Sequence, residues 1–215
     1  MRNDLLKSKL LIRRDSAFSS FVITLKVICL SVLLFNNTVH AAEYVLDKAA
    51  SKVKWEAKKV TGKHDGSISF ANGSLTVSHN NISGGSLEID MKSMVDEDLT
   101  NSEMNKKLMG HLASDDFFSI EKFPESKMVI NKVTSVAGDE FHFLADLTIK
   151  GITNPVEFNA RITIIGEKLM AEGIIIVNRT LYGIKFGSGS FFEGLGNKMI
   201  YDDFSLTFNV VANKN

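Results

Sequence analysis

Cysteine and proline are scarce in this chain of 215 residues, which contains one cysteine and two prolines. The cysteine, Cys29, lies in an apolar stretch near the N-terminus, so the chain cannot rely on an internal disulfide and needs buried apolar surface for stability. Pro124 and Pro155 leave most of the sequence without the residue that interrupts β-strands. A Gly-x-Ser-x-Gly motif is also missing, which removes a common signature of hydrolases with a serine nucleophile.

Basic charge is not in excess, since the chain has 25 basic and 25 acidic residues. Residues 1–41 hold six basic and two acidic side chains, so the 174 residues that follow hold 19 basic and 23 acidic ones, a net charge of −4. A weakly acidic domain lacks the electrostatic footprint of a nucleic-acid-binding protein, and we predict no nucleic-acid partner. Its length suffices for one domain with its own core.

A long hydrophobic run is missing as well. The apolar segment 27–35 is far shorter than the ~20 residues of a membrane-spanning helix. It follows a basic segment and precedes Val39-His40-Ala41, which resembles a signal-peptidase cleavage site. We therefore predict that residues 1–41 are a cleaved secretory signal. Residues 42–215 are then a mature domain, periplasmic or secreted, without a stable membrane anchor.

Alternating apolar residues dominate the mature chain. Every odd position of residues 141–149 is apolar, and every even position of residues 156–164 is apolar in the next segment. Side chains of a strand alternate between two faces, so each segment predicts a strand with one apolar face and one polar, solvent-facing face. The apolar face must be covered by a second sheet, by the same sheet curling on itself, or by a ligand inside the curled sheet.

About eight such strands, joined mostly by short connections, predict an all-β, antiparallel domain. Asn72-Gly73 is typical of a hairpin turn, and Gly84-Gly85 predicts another turn before the following strand. Further turns are expected at Gly138, around Gly151 and at Gly166.

One segment has helical rather than strand periodicity. Thr100 and Glu103 fit a capping box, with the threonine as the cap, and Met104, Leu108 and Leu112 follow at four-residue spacing. This predicts one short helix. It either closes one end of a curled sheet or packs on the outside of the sheet.

The histidines show no metal-ligand spacing, since the sequence contains neither His-x-x-x-His nor His-Glu-x-x-His. We therefore predict no metal, no cofactor and no catalytic residue. The alternative is a metal- or His/Asp-dependent enzyme that acts on a lipid-like substrate, in which folding brings His64, His111 and the Asp115/Asp116 pair together. A second alternative is a stress-response or structural protein whose interior is completely filled.

Arg179 and the glycine-rich residues 183–196 follow an apolar strand. An arginine beside an apolar cavity can hold the polar head group of a ligand, whereas an exposed arginine without a partner is the alternative. The glycine-rich segment does not lead into an amphipathic helix, so we interpret it as a long loop rather than a phosphate-binding site.

Ten segments of the mature chain together resemble the YceI-like family of exported proteins. They are Trp55, KKVTGKHDG (58–66), IDMKSM (89–94), GHL (110–112), SDDFF (114–118), KFP (122–124), DLTIKG (146–151), NRT (178–180), YGI (182–184) and IYDD (200–203). The resemblance covers residues 43–212, and its specificity lies in the order and spacing of the segments.

The resemblance implies a lipocalin-like barrel of eight antiparallel strands that holds a polyisoprenoid, such as the tail of a prenyl quinone. Combined with the alternation, it predicts eight lumen residues: Trp55, Phe70, Ile89, Phe143, Leu147, Phe158, Ile162 and Phe208. Phe117, Phe118, Phe191 and Phe192 are predicted at the mouth, and Arg179 and His64 at the ligand's head group. Small residues such as Ala57 and Ala160 leave room for the chain of the lipid.

Overall fold

One antiparallel sheet closes on itself to form a barrel. The computed structural model describes residues 41–79 and 81–215, so the predicted signal segment lies outside the described residues apart from Ala41. The nine strands are β1 (Ala42–Leu46), β2 (Lys52–Lys59), β3 (Gly62–Ser78), β4 (Asn81–Asp96), β5 (Glu125–Ala137), β6 (Glu140–Ile149), β7 (Ile152–Ile165), β8 (Lys168–Asn178) and β9 (Ile200–Lys214). Their order is β1-β3-β2-β9-β8-β7-β6-β5-β4, and the pairing of β3 with β4 closes the sheet.

Nine strands occupy only eight positions around the barrel, because β1 and β2 share one of them. β2 pairs with residues 62–68 of β3 and residues 200–209 of β9. β1 pairs with the other halves of the same two strands, at residues 74–77 and 212–214. The predicted eight-stranded antiparallel barrel with one helix is therefore confirmed.

Within the part of the chain that the structure describes, the one α-helix is α1 (Ser102–Ala113), in the connection between β4 and β5. Its cap is Asn101 and not Thr100, because the Asn101 side-chain oxygen accepts hydrogen bonds from the backbone N–H groups of Glu103 and Met104 at 3.1 and 3.0 Å. Antiparallel pairing places the β2–β3, β6–β7 and β8–β9 connections at the same end of the barrel as α1. We call this end the helix end. Among the described residues, no helix has both the length and the apolarity to span a membrane.

Two predicted turns are wrong. Asn72-Gly73 lies inside β3, where the pairing with β4 shifts between Phe70 and Asn72 as in a β-bulge. Gly84-Gly85 lies inside β4. There Gly85 adopts a φ of 143°, and a Cβ at this position would come within 2.5 Å of the Ser74 carbonyl oxygen.

The turns expected at Gly138, Gly151 and Gly166 are confirmed, and all three glycines have positive φ values of 58–74°. They join β5 to β6, β6 to β7 and β7 to β8 as tight hairpins.

The inner face of the barrel carries the core. Phe143, Ala145, Leu147 and Ile149 of β6 are buried, and the positions between them are less so. Phe158, Ala160 and Ile162 of β7 are buried in the same way. The alternation therefore predicted correctly which face of each strand is covered, and the curling of the sheet provides the cover.

Candidate ligand-binding site in the barrel lumen

The barrel encloses an apolar cavity with a volume of about 170 Å³. A single water molecule needs only about 10–15 Å³ by comparison, so the interior is not filled by its own side chains. Ten of the predicted site residues line the cavity: Trp55, Phe70, Ile89, Phe117, Phe118, Phe143, Leu147, Phe158, Arg179 and Phe208. Ala57 and Ala160 line it as well.

Aromatic rings form one wall of this cavity. Phe143 and Phe158 are direct partners on β6 and β7, and their rings stack with centroids 5.1 Å apart. Phe208 meets Phe158 edge-on at 5.7 Å. Because such pairs prefer these geometries, the wall is held in one arrangement.

The two ends of the cavity differ. At the helix end the lining includes Leu112 of α1 and Tyr201 at the start of β9, and Tyr201 is 49% exposed. At the opposite end, Leu169 and Ala212 have no exposed surface and belong to the packed core. Ile162 pairs with Ala171 near that end; it is buried in the core but is not part of the cavity lining, contrary to its predicted place.

The aromatic residues at the mouth are not all those predicted. Phe117 and Phe118 line the cavity, but Phe191 and Phe192 are 48% and 51% exposed and lie outside the lining. The sequence interpretation missed Phe186, which contacts Phe117 at 5.7 Å between ring centroids. No periodic pattern marks Phe186, because it lies in the irregular connection between β8 and β9.

Arg179 is buried at the helix end and fixes that connection. Its guanidinium N–H groups donate to the carbonyl oxygens of Ile184 and Phe186 on one side and of Ile200 and Tyr201 on the other, at 2.9–3.0 Å. A fifth contact reaches the Asp202 carboxylate at 3.4 Å. All five donors therefore have acceptors in the protein, and the predicted contact with a ligand head group has no free donor.

Asp202 and Tyr182 share this buried region. Burial raises the pKa of Asp202, but hydrogen bonds from the Ser188 and Ser190 hydroxyls and the Arg179 charge outweigh it, and the net pKa is lowered. Burial lowers the pKa of Arg179, and Asp202 opposes this effect. Burial raises the pKa of Tyr182 to about 12, so its hydroxyl stays protonated at neutral pH.

His64 lies on β3 at the helix end, but it is not part of the cavity lining. Its Nδ1 lies 3.1 Å from Asp98 Oδ2 and 3.9 Å from Asp96 Oδ2. The predicted contact with the ligand is thus replaced by contacts with two aspartates that sequence reasoning missed. The Asp-x-Asp spacing at 96–98 is the only sequence feature that points to this group of side chains. It does not indicate that a histidine 32 residues earlier is their partner.

Only two of the residues named for the enzyme alternative, His111 and Asp116, contact each other. His111 Nε2 lies 3.4 Å from Asp116 Oδ2, and the His111 ring packs edge-on against Phe117 and Phe186. The Lys122 ammonium group binds Asp115 at 2.6 Å. His64 instead belongs to the group formed with Asp96 and Asp98. The structure therefore brings His111 and Asp116 together, whereas Asp115 and His64 have other partners.

The fold and cavity define a class of single-chain antiparallel barrels with an apolar lumen. Within this class the chain belongs to the YceI-like domain family, whose sequence profile matches residues 44–212.

A UPF0312 protein of Photorhabdus laumondii is 32% identical over 108 residues, which are 50% of each chain. A UPF0312 protein of Shewanella denitrificans is 28% identical over 60% of this chain and 66% of its own. The chain therefore spans about half to two thirds of the length of these curated relatives.

Solved structures support the fold. Burkholderia cenocepacia BcnA matches with a TM-score of 0.63 and 20% identity, over 78% of this chain and 99% of its own. A polyisoprenoid binding domain from Saccharophagus degradans matches with a TM-score of 0.56 and 14% identity, over 80% of this chain and 98% of its own.

Proposed function

We propose that this protein is an exported carrier that holds a long-chain amphiphilic lipid, a polyisoprenoid or prenyl quinone, in the barrel lumen. The observation that carries the proposal is the apolar cavity of about 170 Å³ along the inner face of the barrel. Its location outside the cytoplasm, periplasmic or secreted, rests on the signal-like residues 1–41.

The chemistry of the lining favours an apolar chain over a polar substrate. Ser126, Lys127 and Arg179 are among its few polar residues. The Ser126 hydroxyl donates to Met91 sulfur, and the Lys127 ammonium group binds Glu88 at 2.9 Å. Since the Arg179 donors are also engaged, these groups have little capacity left to recognise a polar ligand. A role in binding rather than catalysis follows from this arrangement.

The driving force for a lipid is ample. Each methylene transferred from water into an apolar cavity contributes about 0.8 kcal/mol. Ordering a flexible chain opposes this gain, and large ligands realise only about 0.3 kcal/mol per non-hydrogen atom. The gain counts only the carbon atoms that the lumen takes up, so it grows with the length of tail inside the barrel. We place the polar head of the lipid at the helix end, where Leu112 and Tyr201 border the cavity.

The Saccharophagus domain supports the ligand class, because that protein is described as polyisoprenoid-binding and has the same fold.

The cavity also argues against a stress-response protein with a filled barrel. Such a protein would have interlocked side chains along the axis and a core without this free volume.

The test is to purify the protein under mild conditions and to analyse an organic-solvent extract by mass spectrometry. A polyisoprenoid or prenyl quinone should be present at close to one molecule per chain. In parallel, delipidated protein should take up an added prenyl quinone and show a higher melting temperature. An empty extract together with no uptake of a prenyl quinone or a fatty acid would reject the carrier function.

A further inference from the structure

Three potential metal ligands meet at the helix end of the barrel, outside the lumen lining. His64 is on β3, Asp96 is the last residue of β4, and Asp98 follows two residues later. One ligand atom from each lies within 4.8 Å of the other two. The His64 Nδ1 distances are 3.1 Å to Asp98 Oδ2 and 3.9 Å to Asp96 Oδ2.

Asp96 provides a second, independent observation. Its side chain has no exposed surface. Its Oδ1 atom accepts hydrogen bonds from the Leu99 backbone N–H at 2.9 Å and the Asn105 side-chain amide at 3.0 Å. Its Oδ2 atom is buried and, within residues 41–79 and 81–215, has no hydrogen-bond partner. A buried carboxylate oxygen without a partner is costly, so the site is incomplete as it stands.

The local charge points to a cation. Two carboxylates meet here, and the nearby lysine at position 63 is engaged elsewhere, since its ammonium group binds Glu56 at 2.6 Å and Asp65 at 3.5 Å. Burial, followed by the neighbouring Asp98, raises the pKa of Asp96, while the Leu99 backbone N–H and the His64 ring oppose this effect.

We propose that His64 Nδ1, Asp96 Oδ2 and a carboxylate oxygen of Asp98 bind one first-row divalent transition-metal ion, with Zn²⁺ as the reference metal. Bonds of about 2.0–2.1 Å to a tetrahedral ion separate neighbouring ligand atoms by about 3.3 Å. The observed distances from His64 Nδ1 to the two aspartate oxygens are 3.1 and 3.9 Å, one below and one above this value. Small side-chain movements therefore suffice to bring these atoms to metal-binding distances. Ca²⁺ fits poorly, because it takes six to eight oxygen ligands.

The surroundings support such a site in two ways. Asp98 Oδ1 accepts the Asp65 backbone N–H at 3.1 Å, and Asn105 fixes Asp96, so both carboxylates are already oriented. His64 and Asp98 keep 26% and 29% of their side-chain surface exposed. An ion can therefore enter from solvent, and a water molecule can complete its coordination.

The site also adjoins the lumen wall. The Trp55 indole N–H donates to the Val95 carbonyl oxygen at 3.1 Å, one residue before Asp96, and the same Trp55 side chain lines the cavity. The metal proposal does not depend on the lipid, because its ligands are protein atoms outside the lining.

The experiment is calorimetric titration of Zn²⁺ into purified, chelator-treated protein, with His64→Gln and Asp96→Asn as test variants. We expect one Zn²⁺ per chain and an affinity for Zn²⁺ reduced at least about tenfold in each variant, since loss of even a supporting partner costs about 10–100-fold.

His142→Gln is the matched control. This β6 histidine also lies near a carboxylate, Glu157 at 3.4 Å, and its loss should leave Zn²⁺ binding unchanged. Co²⁺ in the site should give visible absorption bands that His64→Gln loses.

Two results would overturn the proposal. The first is no saturable binding by the wild-type protein, which would mean that a proton rather than a metal neutralises the aspartate pair. The second is unchanged affinity in His64→Gln, which remains decisive even if Asp96→Asn fails to fold, because His64 is partly exposed. Neither result affects the lipid extract, so failure of this proposal is distinguishable from failure of the carrier function.

Discussion

The rings of Phe143 and Phe158 lie face to face on neighbouring strands, with planes inclined by only 3° and centroids 5.1 Å apart. Both are buried, and both border the cavity. A stacked pair of this kind contributes about 0.5–1.5 kcal/mol beyond its buried area. The pair thus fixes one part of the cavity wall.

Leu147, four residues further along β6 on the same face, offers a direct test of the lumen. In Leu147→Trp the larger ring should occupy the cavity and abolish uptake of a prenyl quinone, measured by ligand extraction and by the ligand-induced rise in melting temperature. Overpacking should cost about 1–3 kcal/mol of unfolding free energy at most.

Leu144→Trp is the control for this change, because Leu144 is on the same strand and faces the opposite way. It should bind the quinone like the wild type. Equal uptake by Leu147→Trp and Leu144→Trp would place the ligand outside the barrel.

Arg179 should stabilise the protein by linking the two ends of the β8–β9 connection. Arg179→Met removes the donor of four carbonyl oxygens and the ion-pair partner of Asp202, which keeps its serine hydrogen bonds. We expect a loss of about 3–5 kcal/mol in urea unfolding, as for other broken buried ion pairs, and faster proteolysis of residues 183–199.

Arg161→Met provides the comparison. Arg161 is an exposed arginine that also contacts two carboxylates, those of Asp139 and Glu172. Exposed ion pairs contribute about 0–1 kcal/mol, so this variant should unfold nearly like the wild type. Similar losses in both variants would contradict the structural role assigned to Arg179.

The lowered pKa of Asp202 predicts a pH-dependent contribution to stability. The ordinary aspartate pKa is 3.8, and the folded protein holds Asp202 below it. The stabilisation is therefore complete above pH 3.8 and decreases as the pH falls through the lower, folded-state pKa. Asp202→Asn should be less stable than the wild type at neutral pH, and the difference should shrink in acid.

Unfolding midpoints measured in urea from pH 7 down to pH 3 check this expectation. Asp203→Asn, at the exposed neighbouring position, controls for the general effect of removing one charge. A difference between Asp202→Asn and the wild type that stays constant across the range would refute the assignment.

Adjacent glycines in β4 should respond differently to the same substitution. A Cβ on Gly85 would come within 2.5 Å of a backbone oxygen, and its φ of 143° is unfavourable for other residues. Gly85→Ala should therefore lower the unfolding free energy by about 1–3 kcal/mol or more. At Gly84 the nearest atom is 3.8 Å away, so Gly84→Ala should have little effect. Equal effects would mean that the two glycines form a turn, as the sequence pattern suggested.

Much of the fold could be predicted because its signals are local. The alternation in residues 141–149 and 156–164 depends only on the two-residue period of a strand, so it identified the buried faces of β6 and β7. Together with the family resemblance, it also placed most of the lumen residues. The Asn72-Gly73 and Gly84-Gly85 errors arose because the same dipeptides fit a turn or an irregular strand, and the pairing of β3 with β4 selects the strand.

Residue spacing alone predicts alternating strands, one short helix and an apolar face that needs cover. The folded chain shows in addition that the sheet closes around free volume, that Arg179 binds the backbone of its own connection, and that His64 meets Asp96 and Asp98. The physical reason is distance along the chain. Side-chain alternation is set by neighbouring residues, whereas barrel closure and the contacts at its helix end join strands and loops that are tens of residues apart.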